Sequence, residues 1–296
     1  MSYLPPLRDP VRRIGRRRFD FASQIVVMGI VNRTLDSFFD EGGTFALEAA
    51  VRAALAAAAA GAGMVDIGGV PFSPDTPDVG LHEELDRVLP VVEAVVAASD
   101  VVVSVDTFRP EVARRSLEAG AAVINDTTGL QDVELADVVA GSDATLVITH
   151  SLAPPRKHHP RPQYDDVVAE VKRLLIDRVQ LAVDRGVPES RIVIDPGHDL
   201  NKNTLHSLEL TRRLSEIADI GLPLLAAVSN KDFVGEATGL AKADRLAPSV
   251  AAATVCALGG ARILRMHEVA AAVAAARMVE AILEFRDPAY LWHNMN

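Results

Sequence analysis

Cysteine is nearly absent from this 296-residue chain, in which Cys256 is the one thiol. A lone cysteine excludes an internal disulfide framework and a metal site built from several cysteines, and it is typical of the reducing cytoplasm. No apolar run reaches the roughly 20 residues that cross a bilayer, and the first residues lack the apolar core of a signal peptide. We therefore expect a soluble, cytoplasmic protein with no membrane partner.

Positive charge is also scarce, because 30 Lys and Arg stand against 40 Asp and Glu, which gives a net charge of −10. This balance argues against general nucleic-acid binding. The exception is the Arg-rich stretch "RRIGRRRFDF" at residues 12–21. It is typical of strand, glycine turn and strand, with Phe19 and Phe21 on one face, and we predict a hairpin rather than an interaction tail.

Eight short, mostly apolar, β-branched runs alternate with Ala-rich segments of helical period, as in a parallel sheet buried on both faces. This alternation predicts an α/β fold, a (β/α)8 TIM barrel with a short N-terminal hairpin. A doubly wound sheet is the alternative, but residues 31–43 offer no Gly-rich phosphate turn after the first strand. We divide the chain into an N-terminal arm (1–23), a single barrel (24–285) and a C-terminal tail (286–296), whose Tyr290 and Trp292 are expected to pack against the barrel or a partner subunit.

The predicted strands are Ile25–Val31, Met64–Ile67, Val101–Val105, Ala122–Ile124, Thr145–Ile148, Ile192–Ile194, Leu224–Val228 and Ile263–Met266. The predicted helices are Leu47–Ala60, Glu83–Ala97, Pro110–Ala119, Val133–Val139, Tyr164–Arg185, Thr204–Ile217, Arg245–Leu258 and Glu268–Phe285.

Polar side chains follow almost every predicted strand, at the end of a barrel where active sites lie. Each alone has a structural explanation: Asp106 and Asp126 as N-caps, Asp66 as a turn residue and His267 as a packed histidine. Together they predict a ring of carboxylates and cations suited to a planar heteroaromatic ligand with an anionic leaving group. The ring comprises Asn32, Asp66, Asp106, Asn125, Asp126, His150, Asp195, Ser229, Asn230, Lys231, Arg265 and His267.

Six of these strand ends carry motifs that resemble, in order, those of the dihydropteroate synthase family. The motifs are "MGIVNRTLDSF", "SVDT", "INDTTG", "DPGHDLNK", "SNKDF" and "RMHE". Each is weak alone, but the six in sequence are strong. The family condenses 6-hydroxymethyl-7,8-dihydropterin pyrophosphate with p-aminobenzoate in folate biosynthesis, releasing pyrophosphate. The resemblance also implies a homodimer.

The resemblance assigns a role to each residue of the site. A buried carboxylate can accept two adjacent N–H donors of a pterin, and cations stabilise a departing pyrophosphate. The resemblance implies that Asp106, Asn125, Asp195 and Lys231 bind the pterin, that Asn32, Arg265 and His267 bind pyrophosphate, and that Phe38, Ser229 and Asn230 lie on the p-aminobenzoate side. Asn32, Lys231, Arg265 and His267 are the implied catalytic residues, and Asn32 is the implied contact to a Mg²⁺ cofactor that accompanies pyrophosphate.

The sequence departs from the family pattern in the loops. Ser73 stands in "GGVPFSPDT" where the family has an arginine, and Asn230 replaces the arginine of Ser-Arg-Lys. Residues 198–200 are His-Asp-Leu where the family has a variable residue, glycine and phenylalanine. We therefore expect weak or altered synthase activity, as in the divergent second paralogue of actinomycetes, unless Arg33 takes the place of a lost arginine.

Two other functions remain open from the sequence. One is a pterin-binding protein without catalysis. The other is another pterin-dependent transferase on the same fold, such as a methyltetrahydrofolate-dependent methyltransferase, which would not need the Arg265 and His267 pair for pyrophosphate.

Overall fold

The computed structural model describes residues 4–33, 46–71, 76–153, 157 and 161–294. Two strands, β1 (Val11–Ile14) and β2 (Arg17–Asp20), pair antiparallel around Gly15, whose φ of 56° is the left-handed conformation that glycine adopts without strain. The predicted hairpin is therefore confirmed.

The other eight strands close into a parallel barrel in which each strand pairs with the next along the chain and the last pairs with the first. The predicted (β/α)8 barrel is confirmed, with strand boundaries that differ by one or two residues. The strands are β3 (Val26–Asn32), β4 (Met64–Gly68), β5 (Val102–Asp106), β6 (Val123–Asp126), β7 (Thr145–Thr149), β8 (Ile192–Asp195), β9 (Leu224–Ala226) and β10 (Ala261–Met266).

Helices follow the strands on the outside of the barrel. Within the described part of the chain they are α1 (Leu47–Ala59), α2 (Leu81–Ala98), α3 (Pro110–Glu118), α4 (Glu134–Ala140), α5 (Val167–Asp184), α6 (Thr204–Arg212), α7 (Leu214–Ala218), α8 (Asp232–Thr238), α9 (Leu246–Leu258) and α10 (Val269–Ile282). None of the described helices is long and apolar enough to span a membrane.

One helix prediction was wrong in detail, and one helix was not predicted. The single helix predicted at Thr204–Ile217 is broken into α6 and α7, because the backbone of Arg213 leaves the helical conformation while its guanidinium binds Glu209 on one side and Glu216 on the other. Helix α8 was not predicted. It is seven residues long, contains Gly235 and ends at Gly239, whose φ is 72°.

The hairpin closes the bottom of the barrel. Phe19 and Phe21 are fully buried, with ring centroids 5.9 Å apart, and they pack with Ile14 against the lowest inward-facing side chains of the strands. Below them, Arg12 donates from Nη1 to the carbonyl oxygen of Ile192 at 2.6 Å. Ile14, Phe19 and Phe21 thus form an apolar plug at the bottom of the barrel. A ligand would therefore enter from the opposite end.

The C-terminal tail lies on the surface. Tyr290 is 69% exposed and Trp292 is 81% exposed, and their rings contact each other at 5.0 Å between centroids. Packing of these two side chains against their own barrel was therefore wrong, since they contact each other instead, and packing against a partner subunit stays a prediction.

Candidate functional site

The strand period of two determines which side chains face into the barrel. The lowest interior cluster holds one apolar side chain from each strand, and the residue two positions later on the same strand also points inward. In the lower layer these are Met28, Met64, Val102, Val123, Val147, Val193, Leu225 and Ile263. Two residues further on stand Ile30, Asp66, Ser104, Asn125, Thr149, Asp195, Ala227 and Arg265. A mostly polar layer therefore lies directly on an apolar floor.

Asp66 is the centre of this polar layer. Its side chain is fully buried and accepts three hydrogen bonds, from Ser104 Oγ at 2.6 Å, Asn125 Nδ2 at 2.9 Å and Arg265 Nε at 2.6 Å. The interpretation of Asp66 as a turn residue was wrong, because position 66 faces inward, two residues after Met64. It is the main site residue that the sequence argument did not assign.

Arg265 joins two carboxylates across the barrel. Besides Asp66, its Nη2 donates to Asp106 Oδ2 at 3.0 Å. Burial raises the pKa of the Asp106 carboxyl above its ordinary value, and the charge of Asp66 adds to this, while Arg265 acts in the opposite direction. Asp106 is therefore a carboxyl group whose charge depends on keeping Arg265 beside it.

The N-cap interpretation of Asp106 was wrong, because Arg109 precedes α3 at the N-cap position. The N-cap interpretation of Asp126 was also wrong, because Val133 is at the N-cap position of α4. The Asp126 carboxylate accepts the backbone N–H groups of Thr128 and Leu130 and shapes the turn after β6, well before α4 begins.

Asp195 and Lys231 form the other half of the polar site. Asp195 Oδ1 accepts the N–H of Gly197 at 2.7 Å. Burial raises the pKa of Asp195, and the Gly197 N–H, Lys231 and Arg265 oppose the rise. Burial lowers the pKa of Lys231, and the nearby carboxylates of Asp199 and Asp195 favour its charged form. A carboxylate and an ammonium are thus kept together in a largely dry site.

The Ser229–Lys231 turn is fixed from two sides. Ser229 Oγ lies 2.9 Å from His267 Nδ1 and accepts the His267 backbone N–H at 3.2 Å. Asn230 has a φ of 58°, and its N–H donates to Ser249 Oγ. Arg245 Nη1 donates to the carbonyl oxygens of Asn230 and Lys231 at 3.1 and 3.2 Å. The turn therefore holds His267 and Lys231 in one place.

Asn32 ends β3 and lies beside Asp106, with only Gly68 between them in the register. A Cβ atom on Gly68 would lie 3.4 Å from Asn32 Oδ1 and 3.7 Å from Asp106 Cβ, so the glycine keeps this corner open. The Asn32 amide oxygen is the kind of hard ligand that Mg²⁺ accepts. Among the described residues, no group of three or more His, Cys, Asp and Glu side chains is placed to hold a metal ion.

A buried lysine below the loop after β8 was also missed. Lys202 Nζ donates to the carbonyl oxygens of Gly197 and Leu200, both at 2.9 Å, and lies 2.8 Å from His150 Nδ1. Burial lowers the pKa of Lys202 to about 7, and burial together with Lys202 lowers the pKa of His150 to about 2. Lys202 therefore ties together the loops that follow β7 and β8.

The structure brings most of the predicted site residues to one end of the barrel. Asp106, Asn125 and Arg265 share the hydrogen-bond network of Asp66, Lys231 and Asp195 influence each other's charge, and Ser229 contacts His267. Arg33 Nη1 donates to the carbonyl oxygens of Asp86 and Arg87 on α2. Phe38 and Ser73 lie outside the described residues.

Comparison with known proteins agrees with this geometry. The family model described as pterin binding enzyme matches residues 28–267. Dihydropteroate synthase of Escherichia coli K12 is 38% identical over 261 residues, covering 88% of this chain and 93% of the relative. A protein named inactive dihydropteroate synthase 2, from Mycobacterium leprae, is 41% identical over 273 residues, covering 90% and 94%.

Among solved structures, dihydropteroate synthase from Xanthomonas albilineans in complex with 7,8-dihydropteroate superposes with a TM-score of 0.83 at 40% identity, covering 93% of this chain and 99% of that one. The match extends over the barrel and all its strand ends. This chain therefore belongs to the dihydropteroate synthase family of pterin-binding enzymes.

Proposed function

We propose that this protein binds 6-hydroxymethyl-7,8-dihydropterin pyrophosphate at the open end of the barrel and condenses it slowly with p-aminobenzoate. In this reaction the bond from the pterin methylene carbon to the pyrophosphate oxygen breaks, and its electron pair leaves with pyrophosphate. The aromatic amine forms the new carbon–nitrogen bond and loses a proton. The observation that carries the proposal is the polar layer on an apolar floor, in which Asp66, Asn125 and Asp195 are buried and Arg265 is bound to Asp66.

The pterin half of the proposal rests on matched donors and acceptors. A pterin offers adjacent N–H donors on its amino-pyrimidinone edge, and a carboxylate accepts both in a charge-assisted pair. Asp195 is buried and lies near Lys231, which would donate to the ring carbonyl. Asp106 and Asn125 would complete the contact, since both face inward on neighbouring strands.

The pyrophosphate half rests on Arg265, His267 and Asn32 at the rim. Positive groups fixed where charge develops lower the barrier for a leaving group. We propose that the Asn32 amide oxygen would hold a Mg²⁺ ion, which would supply further positive charge at the pyrophosphate. The open corner at Gly68 supports this arrangement, because it leaves space beside Asn32.

The acceptor side supports slow turnover. We place p-aminobenzoate near Phe38, Ser229 and Asn230, where Asn230 lacks the charge of an arginine. Two nearby arginines are already engaged: Arg245 on the carbonyls of the turn and Arg33 on carbonyls of α2. We propose that neither replaces a lost arginine. Removal of one such charge typically lowers turnover about 10²-fold or more.

The test combines binding with turnover. Calorimetric titration with the pterin pyrophosphate should show binding that Asp195→Asn abolishes while the variant stays folded, because the amide cannot accept both pterin donors. Pyrophosphate release in the presence of p-aminobenzoate should be at least about 10²-fold slower than in the E. coli relative. The double variant Ser73→Arg with Asn230→Arg should raise that rate. Absence of pterin binding would refute the proposal.

A second candidate function is pterin binding without catalysis. It is favoured by the 41% identity to a relative named as inactive. The two candidates separate in the same assay. Binding without turnover, in both the unmodified protein and the double arginine variant, would select the second.

We also propose a cytoplasmic homodimer. The neighbouring helices α9 and α10 expose large apolar side chains, Val255 on α9 and Met278 and Ile282 on α10. Such side chains on a protein surface are typical of an interface. Sedimentation of the Met278→Glu, Ile282→Glu variant should give monomers if a second copy covers these helices.

A further inference from the structure

Thr149 has a hydroxyl group inside the barrel that no described residue contacts by a hydrogen bond. Most buried side-chain oxygens in proteins are hydrogen-bonded, and an exception calls for an explanation. Thr149 is 0% exposed, and its Oγ1 has no hydrogen-bond partner in the part of the chain that the structure describes. The same holds for Oδ1 of Asn125, which is 1% exposed. Both residues belong to the polar layer on which the proposed ligand would rest.

The position of Thr149 follows from the strand pattern. It ends β7, two residues after the inward-facing Val147, so it faces the barrel axis. In the register it stands opposite Asp195 of β8, and β6, which carries Asn125, pairs on the other side. Thr149 thus lies between the acceptor amide and the buried carboxylate.

A valine would fill this position equally well if only packing mattered. Val147 occupies the inward position below, and valine matches threonine in shape. The methyl carbon of Thr149 lies toward Gly197, where an added Cβ would be 3.3 Å away. The hydroxyl makes no hydrogen bond to any of the described residues, yet burial removes it from water, which is unfavourable. A ligand atom in the site would restore that hydrogen bond.

We propose that Thr149 is a specificity-determining residue whose hydroxyl hydrogen-bonds the heteroaromatic ring of the ligand. The inference rests on the proposed function and goes beyond it. The ring must present an N–H donor to Asn125 Oδ1, since the amide nitrogen already donates to Asp66. It must also present a nitrogen or oxygen to Thr149. The site would therefore prefer nitrogen-rich bicyclic rings that carry polar atoms along one edge. Rings of similar size with carbon atoms along that edge would bind more weakly.

The test replaces the hydroxyl by a methyl group. Thr149→Val should weaken binding of the dihydropterin pyrophosphate roughly tenfold and leave binding of inorganic pyrophosphate unchanged, both measured by calorimetry. Thr149→Ser should restore pterin affinity. The matched control is Thr145→Val, on the same inward face at the start of β7, and it should bind the pterin as the unmodified protein does.

Stability separates this role from a structural one. Without ligand, Thr149→Val should melt at the same temperature as the unmodified protein or higher, because an unpartnered hydroxyl is removed. Lower melting temperature together with unchanged pterin affinity would overturn the inference and leave the proposed function standing. Failure of the unmodified protein to bind the pterin would instead remove both.

Discussion

At Asp66, one carboxylate holds together side chains from three other strands. Because Ser104, Asn125 and Arg265 all donate to it, removal of its charge would leave Arg265 buried with reduced compensation. Breaking a buried ion pair from one side is more costly than replacing both partners by apolar groups. Asp66 therefore organises the site and also stabilises the fold.

Asp66→Asn should lower the free energy of unfolding by about 3 kcal/mol, as measured by urea denaturation. The exposed Asp100→Asn is the control and should change it by less than about 0.5 kcal/mol. The double variant Asp66→Asn with Arg265→Met should recover part of the loss, since the buried charge is then gone. Equal stability of Asp66→Asn and the unmodified protein would show that the network contributes little.

The sequence predicted most residues of the site one by one. It did not predict which of them hydrogen-bond to each other. Asp106, Asn125, Asp195 and Lys231 were expected because they follow strands. Asp66 was placed in the polar ring but received no role, although the period of two from Met64 points it inward. The pairing of Arg265 with Asp66 joins residues 199 positions apart, and no local pattern contains that information.

At the scale of elements, the barrel was predictable because buried parallel strands have a strong, continuous apolar pattern. Helix α8 was not predicted, and its Gly235 is a poor helix former. It positions the Ser229–Lys231 turn through a tertiary contact: the Arg245 guanidinium lies against Gly235, where a Cβ atom would be 2.1 Å from Nη2. The glycine in α8 is explained by an arginine ten residues later, which the local sequence does not show.

Gly235→Ala should therefore displace Arg245 and loosen the turn that carries Lys231. Overpacking of this kind typically costs about 1–3 kcal/mol. We expect a lower melting temperature and weaker pterin binding in the same variant. Gly80→Ala is the matched control, because a Cβ there meets nothing within 4 Å. If Gly235→Ala behaves as Gly80→Ala does, Arg245 does not hold the turn.

At the scale of the whole molecule, the buried Lys202 makes stability depend on pH. Burial lowers its pKa to about 7 in the folded protein, whereas an unfolded chain keeps the ordinary lysine value of about 10.4. Between these values the unfolded state binds more protons, so the free energy of unfolding rises with pH. Below pH 7 both states hold the proton and this contribution has no slope.

The free energy of unfolding of the unmodified protein should therefore rise from pH 7 to pH 9 relative to that of Lys202→Met. The upper bound is about 1.4 kcal/mol per pH unit. Denaturant unfolding of both proteins at several pH values measures it. A difference that stays constant over this range would mean that Lys202 remains charged in the folded protein.

The N-terminal hairpin is made first, but the last of the strands that cover its apolar side chains are made at the end of synthesis. Arg262 Nε donates to the carbonyl oxygen of Phe21, and Glu280 accepts the N–H of Ile25. A ribosome adding about 5–20 residues per second needs roughly 12 to 48 s to make the 241 residues that separate Phe21 from Arg262. Throughout this interval Phe19 and Phe21 lack the last strands that cover them. The nascent chain is thus exposed to aggregation until about its final eighth, which begins with β10, is made, and we expect chaperone binding to concentrate on its first residues.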